Sequence, residues 1–252
     1  MVEFTRPCDK FRQQIRNTLN NQTFGWHNAT YAKSRYIYTL GQRDGMIYYI
    51  VSGQVKLLLT SNDGKQCLAS IRTAGDIFGE PCLSGQTMRL ETAVAMKESR
   101  LKVIPARDFI ANMKSNSMLE YLIQYLAVKV SEQMEIIGAL TTADGEHRLV
   151  RTLLHLGGLL GSDDSDSVLI REKISHEELS SMVGTTRPRI GILLKKFRQL
   201  GLVSVTPKGF LVIDQKKMRQ FLMQDAKSRG AQRTESGAPQ QGYQESVPYF
   251  VS

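Results

Sequence analysis

Five cations within twelve residues, Arg187, Arg189, Lys195, Lys196 and Arg198, have the type and spacing to meet a charged partner. At 100° per residue they fall outside the stripe of Ile190, Leu193, Leu194, Phe197 and Leu200, so a helix here buries one side and turns its cations outward. Opposite that stripe lie Pro188, Gly191, Ile192, Lys195 and Gln199, flanked by Arg187 and Arg189. A guanidinium forks onto a guanine edge, an ammonium meets a phosphate as a point charge, and an outward apolar side chain touches a thymine methyl. The candidate contacts to double-stranded DNA are therefore Thr186, Arg187, Pro188, Arg189, Ile192, Lys195, Lys196, Arg198 and Lys208. Arg187 is expected on a base edge, Pro188 and Ile192 on methyls, and Lys195, Lys196 and Arg198 on phosphates. Between Arg171 and Arg219 the chain carries eleven Lys or Arg against four Asp or Glu, a surplus of seven out of a total of +9. Charge is concentrated where the pattern is.

The surrounding residues explain how such a helix is held. Ser175-His176-Glu177-Glu178 is a capping box, so a helix begins there with Leu179, Met182 and Val183 on its buried face. Gly184 ends it, Thr185 or Thr186 caps the next helix from Arg187, and Pro188 is harmless in a first turn whose N–H groups have no helical acceptor. Gly201 supplies the stop. Leu202 to Thr206, a Pro207-Lys208-Gly209 turn and Phe210 to Ile213 then read as a hairpin. Two short helices joined by a glycine turn, followed by that hairpin, make a winged helix-turn-helix.

From Tyr31 to about Pro105 the texture is β: Gly41, Gly45, Gly53, Gly64, Gly75, Gly79 and Gly85 separate short β-branched and aromatic runs, with Asn62-Asp63-Gly64-Lys65 as a hairpin turn. A helix is predicted from about Ser115 to Thr142. Its positions Leu119, Ile123, Leu126, Val130, Gln133, Ile137 and Leu140 step by four and three, a heptad seam expected to join two copies of the chain, with polar Gln133 fixing register. The competing reading packs that seam on the chain's own β domain. Another helix covers Gly145 to about Leu160, and an acidic, serine-rich loop comes next over 161–167.

Other chemistry finds little support. Cys8, Cys67 and Cys82 form no CxxC pair, and the four histidines lack ligand spacing, so no metal site and no four-cysteine cluster is expected. No nucleophile and base constellation is present, so no catalytic residue is named and an enzyme is not expected. The first residues lack a signal peptide's apolar stretch and no run of about 18 apolar residues occurs, which predicts a cytoplasmic protein with no membrane partner.

Together these motifs resemble the Crp/Fnr family of bacterial transcription regulators, over roughly Tyr31 to Phe221. The β motif is carried by Gly41, Ile47 to Gly53, Asp63-Gly64-Lys65 and Gly75-Asp76-Ile77-Phe78-Gly79-Glu80, and the DNA-reading motif by Ile174 to Leu194. The resemblance implies an α+β chain: an N-terminal β-roll (cyclic-nucleotide-binding-like jelly roll) sensor domain over 1–107, a long dimerisation helix and hinge over 108–143, a winged helix-turn-helix over 144–223, and a tail without fixed structure over 224–252. It implies a homodimer on a palindromic promoter site, with RNA polymerase as partner if it activates. An effector would act through the coil register or the hinge at Thr141 to Gly145. The effector residues implied are Gly79, Glu80, Pro81, Cys82, Arg89, Glu91 and Gln133. In nucleotide-binding members an Arg-Ser or Arg-Thr pair completes phosphate recognition; counted forward, those positions fall on Leu90 and Glu91, with Arg89 one residue early and so on the other face of a strand. Glu91 would repel a phosphate, which argues against cyclic AMP and leaves another nucleotide, another small molecule or an empty pocket. The alternative to a DNA-binding regulator is a nucleotide-responsive module acting on a protein partner.

Overall fold

In the computed structural model, which describes residues 7–20, 26–61, 64, 66–142, 144–162 and 166–223, the glycine-punctuated runs become strands. These are β1 (His27–Tyr31), β2 (Tyr36–Tyr38), β3 (Met46–Ser52), β4 (Gln54–Thr60), β5 (Gln66–Thr73), β6 (Ile77–Phe78), β7 (Thr92–Ala95) and β8 (Ser99–Pro105). They pair antiparallel in two sheets, β1-β8-β3-β6 and β2-β7-β4-β5. The chain passes from one sheet to the other between β3 and β4 at Gly53, whose φ is 107°. A Cβ there would lie 2.3 Å from Ser99 Oγ, and Ser99 Oγ in turn accepts from Gln54 N at 3.1 Å, so only glycine lets the two sheets meet at this corner. β1 starts four residues before the expected Tyr31: His27 to Thr30 carry little apolar signal, and an edge strand draws its stability from backbone pairing with β8 instead. Of the expected hairpin turn, Asn62, Asp63 and Lys65 lie outside the described residues.

Among the described residues the chain divides into two units, one of residues 7–145 and 174–190 and the other of 146–173 and 191–223. The first holds the β-roll with α1 (Pro7–Asn20), α2 (Ala106–Ser115), α3 (Leu119–Thr142) and α5 (His176–Val183). Helix α1 has no counterpart in the sequence reading. It inserts Phe11 and Ile15, both fully buried, among Ile47, Tyr49, Ile77, Phe109, Met113, Leu122 and Tyr125. Arg12 fastens it, its Nη2 2.9 Å from Asp76 Oδ1, while Tyr125 Oη and the Thr73 backbone N–H also donate to that carboxylate at 3.2 and 2.9 Å. Burial alone would raise the Asp76 carboxyl, but the Arg12 guanidinium and the Thr73 N–H outweigh it and hold the group below its ordinary value. The roll interior is a second core of Ile37, Tyr38, Tyr48, Ile50, Val55, Leu57, Phe78, Leu101 and Val103.

The long helix begins at Leu119 rather than at Ser115, because Ser117 takes φ 55° and the N–H groups of Asn116 and Ser117 cap α2 on the carbonyls of Asn112 and Lys114. Ala143, in the expected hinge, lies outside the described residues. Helix α5 rests on the roll, with Lys56 Nζ 2.8 Å from Glu178 Oε1 and Ser181 Oγ 3.4 Å from the Gln66 carbonyl.

The second unit comprises α4 from Glu146 onward (Gly145–Leu160), β9 (Gly161–Ser162), β10 (Ser167–Ile170), most of α6 (Arg187–Gln199), β11 (Val203–Val205), β12 (Leu211–Asp214) and α7 (215–223). Its sheet runs β11-β12-β10-β9, so the ends of the expected acidic loop pair as strands, while 163–165 lie outside the described residues. Leu149, Leu153, Leu156, Ile170, Leu194, Phe197, Ile213 and Met218 are buried here. The expected tail, 224–252, is outside the described residues.

Candidate functional site

The reading helix is set by local chemistry on both sides. Ser175 Oγ accepts from Glu178 N at 3.1 Å and Glu178 Oε2 accepts from Ser175 N at 3.0 Å, a complete capping box. Gly184, at φ 65° and ψ 49°, closes α5 in the left-handed conformation, and its N–H returns to the Ser180 carbonyl. Of the two threonines considered as the next cap, Thr186 serves: its Oγ1 lies 3.4 Å from Arg189 N and its carbonyl accepts from Ile190 N.

In α6 the two faces separate as the periodicity implies. Ile190, Leu193, Leu194 and Phe197 are buried, whereas Thr186, Arg187, Pro188, Arg189, Ile192, Lys195, Lys196 and Arg198 are exposed. Leu200, expected in the buried stripe, is 49% exposed, since the helix has ended at Gln199. Ile192 is 63% exposed between cations, a costly place for an isoleucine unless something apolar meets it. Lys208 is exposed at the turn between β11 and β12. Lys196 differs from its neighbours, because Nζ lies 2.6 and 2.7 Å from the two carboxylate oxygens of Glu146, so part of its charge is already matched. Thirteen residues of helix span about 20 Å, and a helix with one cationic, partly apolar face fits a major groove about 12 Å wide.

The apolar surface of α3 is less simple than one seam. Leu119 and Leu126 pack partly buried against the chain's own core. Outward are Ile123 (65% exposed), Ala127, Val130, Met134 (65%) and Ile137, again in steps of four and three. Of the expected seam, Ile123, Val130 and Ile137 are exposed. The alternating positions fall on Ala127 and Met134 instead of Leu126 and Gln133, because Met118, Leu122 and Tyr125 turn their side of the helix to the β-roll. Gln133 is exposed, and the Leu140 side chain lies outside what is described.

Of the residues expected around an effector, Arg89 and Cys82 meet at one carbonyl, that of Met46. Arg89 Nη2 donates to Met46 O at 2.6 Å and to Asp44 Oδ1, Arg89 Nη1 donates to Gly79 O at 3.0 Å, and Cys82 Sγ lies 3.7 Å from Met46 O. Arg89 is buried in the loop before β7, so strand alternation does not govern it, and its guanidinium stacks 4.3 Å from the Tyr38 ring centroid. Burial opposes its charge, but the Asp44 hydrogen bond together with the charge of Asp44 and the neighbouring Tyr38 and Tyr48 outweighs that and keeps it protonated. Glu91 accepts from Tyr38 Oη at 2.7 Å, Glu80 pairs with buried Arg72 at 3.3 Å, and Pro81 is the second residue of the 3-10 turn Glu80–Ser84. Asp44, Tyr38 and Met46 were invisible as partners of Arg89, and Arg72 as the partner of Glu80, because nothing in their spacing links them. A cyclic nucleotide fits these residues poorly. Arg89 is committed to acceptors of the chain, Glu91 adds a carboxylate bonded to Tyr38, and buried Asp44 Oδ2 has no hydrogen-bond donor among the described residues. A groove of about 470 Å³ shares Cys82 with this cluster and runs on along Leu83, Ala106 and Ile110, touching neither Arg89 nor Glu91.

Among the described residues no helix is long and apolar enough to cross a membrane, and no group of three metal-ligating side chains converges.

Comparison with known proteins places this geometry. A family model for the cyclic nucleotide-binding domain matches residues 29–116, and one for the Crp-like helix-turn-helix domain matches residues 147–221. The chain is 24% identical over 185 residues to a CRP-like cAMP-activated global transcriptional regulator of Mycobacterium tuberculosis, covering 72% of this chain and 82% of that protein. It is 27% identical over 186 residues to the global nitrogen regulator of a Synechocystis strain, covering 73% and 83%. Among solved structures, the c-di-GMP responsive global regulator CLP of Xanthomonas campestris superposes with a TM-score of 0.63 at 22% identity, over 79% of this chain and 98% of that one. A β-roll of the one family followed by a reading unit of the other, on a single chain, identifies this protein as a member of the Crp/Fnr family of DNA-binding transcription regulators.

Proposed function

We propose that two copies of this chain associate along Ile123, Ala127, Val130, Met134 and Ile137 of α3, and that each lays α6 into one half of a palindromic promoter site. The observation that carries the reading is the exposed face of α6, where Arg187, Arg189, Lys195 and Arg198 surround Ile192 opposite a fully buried stripe. Arg187 donates to a guanine edge, Pro188 and Ile192 meet thymine methyls, and Lys195, Arg198 and wing Lys208 hold phosphates. Lys196 contributes less because Glu146 already pairs with it. The two half-sites are then about 34 Å apart, one turn of duplex. DNA as the target puts the protein in the cytoplasm, with RNA polymerase as partner where the site lies upstream of a promoter it activates.

Regulation in this reading enters through the β-roll and ends at the α3 stripe, where a change of register resets the spacing of the two α6 helices. Relatives carry names that specify cyclic AMP or c-di-GMP. For this chain the committed Arg89 and the carboxylate of Glu91 favour a small effector other than a cyclic phosphodiester. A module acting only on a protein partner would leave the α6 face without a use. The test is a salt titration of binding to a selected palindrome and to random duplex. Specific binding is expected to exceed random binding by about 10³-fold or more and to weaken steeply with salt. Equal affinity for both duplexes refutes the reading.

A further inference from the structure

We infer that the chain occupies its own arginine: Arg89, the one nearest the position the family resemblance implies for a phosphate, is held by Asp44 and two backbone carbonyls, so the β-roll binds no cyclic nucleotide. The inference concerns the roll alone and stands whether or not α6 reads DNA.

Three features converge on it. Every nitrogen of Arg89 except Nε has an acceptor from the chain: Asp44, Met46 O at 2.6 Å and Gly79 O at 3.0 Å. Nothing can slip between the guanidinium and the turn beyond Gly79, since a single added Cβ on that glycine would lie 2.6 Å from Arg89 Nη1 and 2.9 Å from Met46 O. The opposite side is closed by aromatic rings, with Tyr38 4.3 Å and Tyr48 5.4 Å from the guanidinium carbon, and Phe78 stacked 5.0 Å from Tyr48.

Charge points the same way. Around the Gly79 turn the acids Asp44, Glu80 and Glu91 meet the bases Arg72 and Arg89, so the cluster already carries one negative charge in excess. A cyclic phosphodiester adds a second. To admit it, Arg89 would have to release Asp44, leaving a largely buried carboxylate with the Met46 N–H but no counter-ion, a state that folding does not tolerate cheaply. The Tyr38 hydroxyl, bonded to Glu91 at 2.7 Å, ties that carboxylate to the ring that carries Arg89, so Glu91 and Arg89 are held through one side chain.

The experiment uses the full chain and thermal unfolding. Cyclic AMP, cyclic GMP and c-di-GMP at millimolar concentration are expected to shift the wild-type Tm by less than about 1 °C, whereas binding at 100 times Kd would raise it by several degrees. Asp44→Asn is the positive arm: it strips Arg89 of its counter-ion, so Tm is expected to fall by about 10 °C, with circular dichroism confirming that the fold persists. Inorganic phosphate should then recover part of that loss in Asp44→Asn and not in Asp44→Ala/Arg89→Leu, where the cation is gone. A saturable rise of wild-type Tm with any of the three nucleotides overturns the inference. So does an Asp44→Asn protein as stable as wild type, because Arg89 would then not depend on Asp44.

Discussion

If α3 joins two copies through its outward stripe, one charge at its centre should take them apart. Val130 is 56% exposed in the single chain, so docking a second helix covers what remains of it. Replacing it with Glu forfeits that burial in both copies, about 2 kcal/mol. It also sets two carboxylates face to face across the two-fold axis; at about 6 Å and an effective dielectric near 20 they repel by about 3 kcal/mol. The sum of about 5 kcal/mol weakens dimerisation by roughly three to four orders of magnitude. Val130→Lys should do the same. Sedimentation equilibrium over a wide concentration range measures both, and mixing the two variants supplies the control, since Glu now faces Lys and a one-to-one heterodimer should return. Variants that remain dimers alone, or a mixture that stays monomeric, would refute the assignment of the stripe.

Further consequences concern the reading face, the core and acid stability. Arg187→Ala should cost about 1–3 kcal/mol on the preferred site and relax selectivity at one position per half-site, seen by anisotropy across single-base variants. Lys208→Ala should weaken all sequences alike and reduce the slope of log K against log salt by about 0.9 per copy. Phe11→Ala should destabilise the chain by about 3–5 kcal/mol in urea, since the ring is fully buried between the roll and α3. Asp76 is held below its ordinary value, so its contribution is complete above the unfolded pKa near 3.9 and is lost as pH falls through the lower folded value. Asp76→Asn should therefore be less stable than wild type at pH 6, with the difference shrinking in pH-dependent unfolding below about pH 4.

The parts of the molecule that could be read from residues alone are those whose signals are local. Ser175 and Glu178 must lie three apart to cap each other, Gly184 ends the helix they start, and Ile190, Leu193, Leu194 and Phe197 can share only one face of α6. Helix α1 escaped because its insertion rests on two residues, Phe11 and Ile15, in an otherwise polar segment whose partners lie more than thirty residues away. The seam on α3 was half legible. A helix with apolar residues on two sides shows its period, but only the placement of Met118, Leu122 and Tyr125 against the roll decides which side is left for a partner. Arg89, expected on the wrong face of a strand, sits instead in a loop, where the direction of its side chain is set by Asp44 and two carbonyls distant in sequence.

The most direct test of the account is to select duplexes from a random pool with the full chain and footprint the winner. Two copies reading through α6 predict a palindrome protected symmetrically, with half-site centres about one helical turn apart and protection lost in Arg187→Ala. No enrichment over random duplex, or protection of one asymmetric site unaffected by Arg187→Ala, would contradict it.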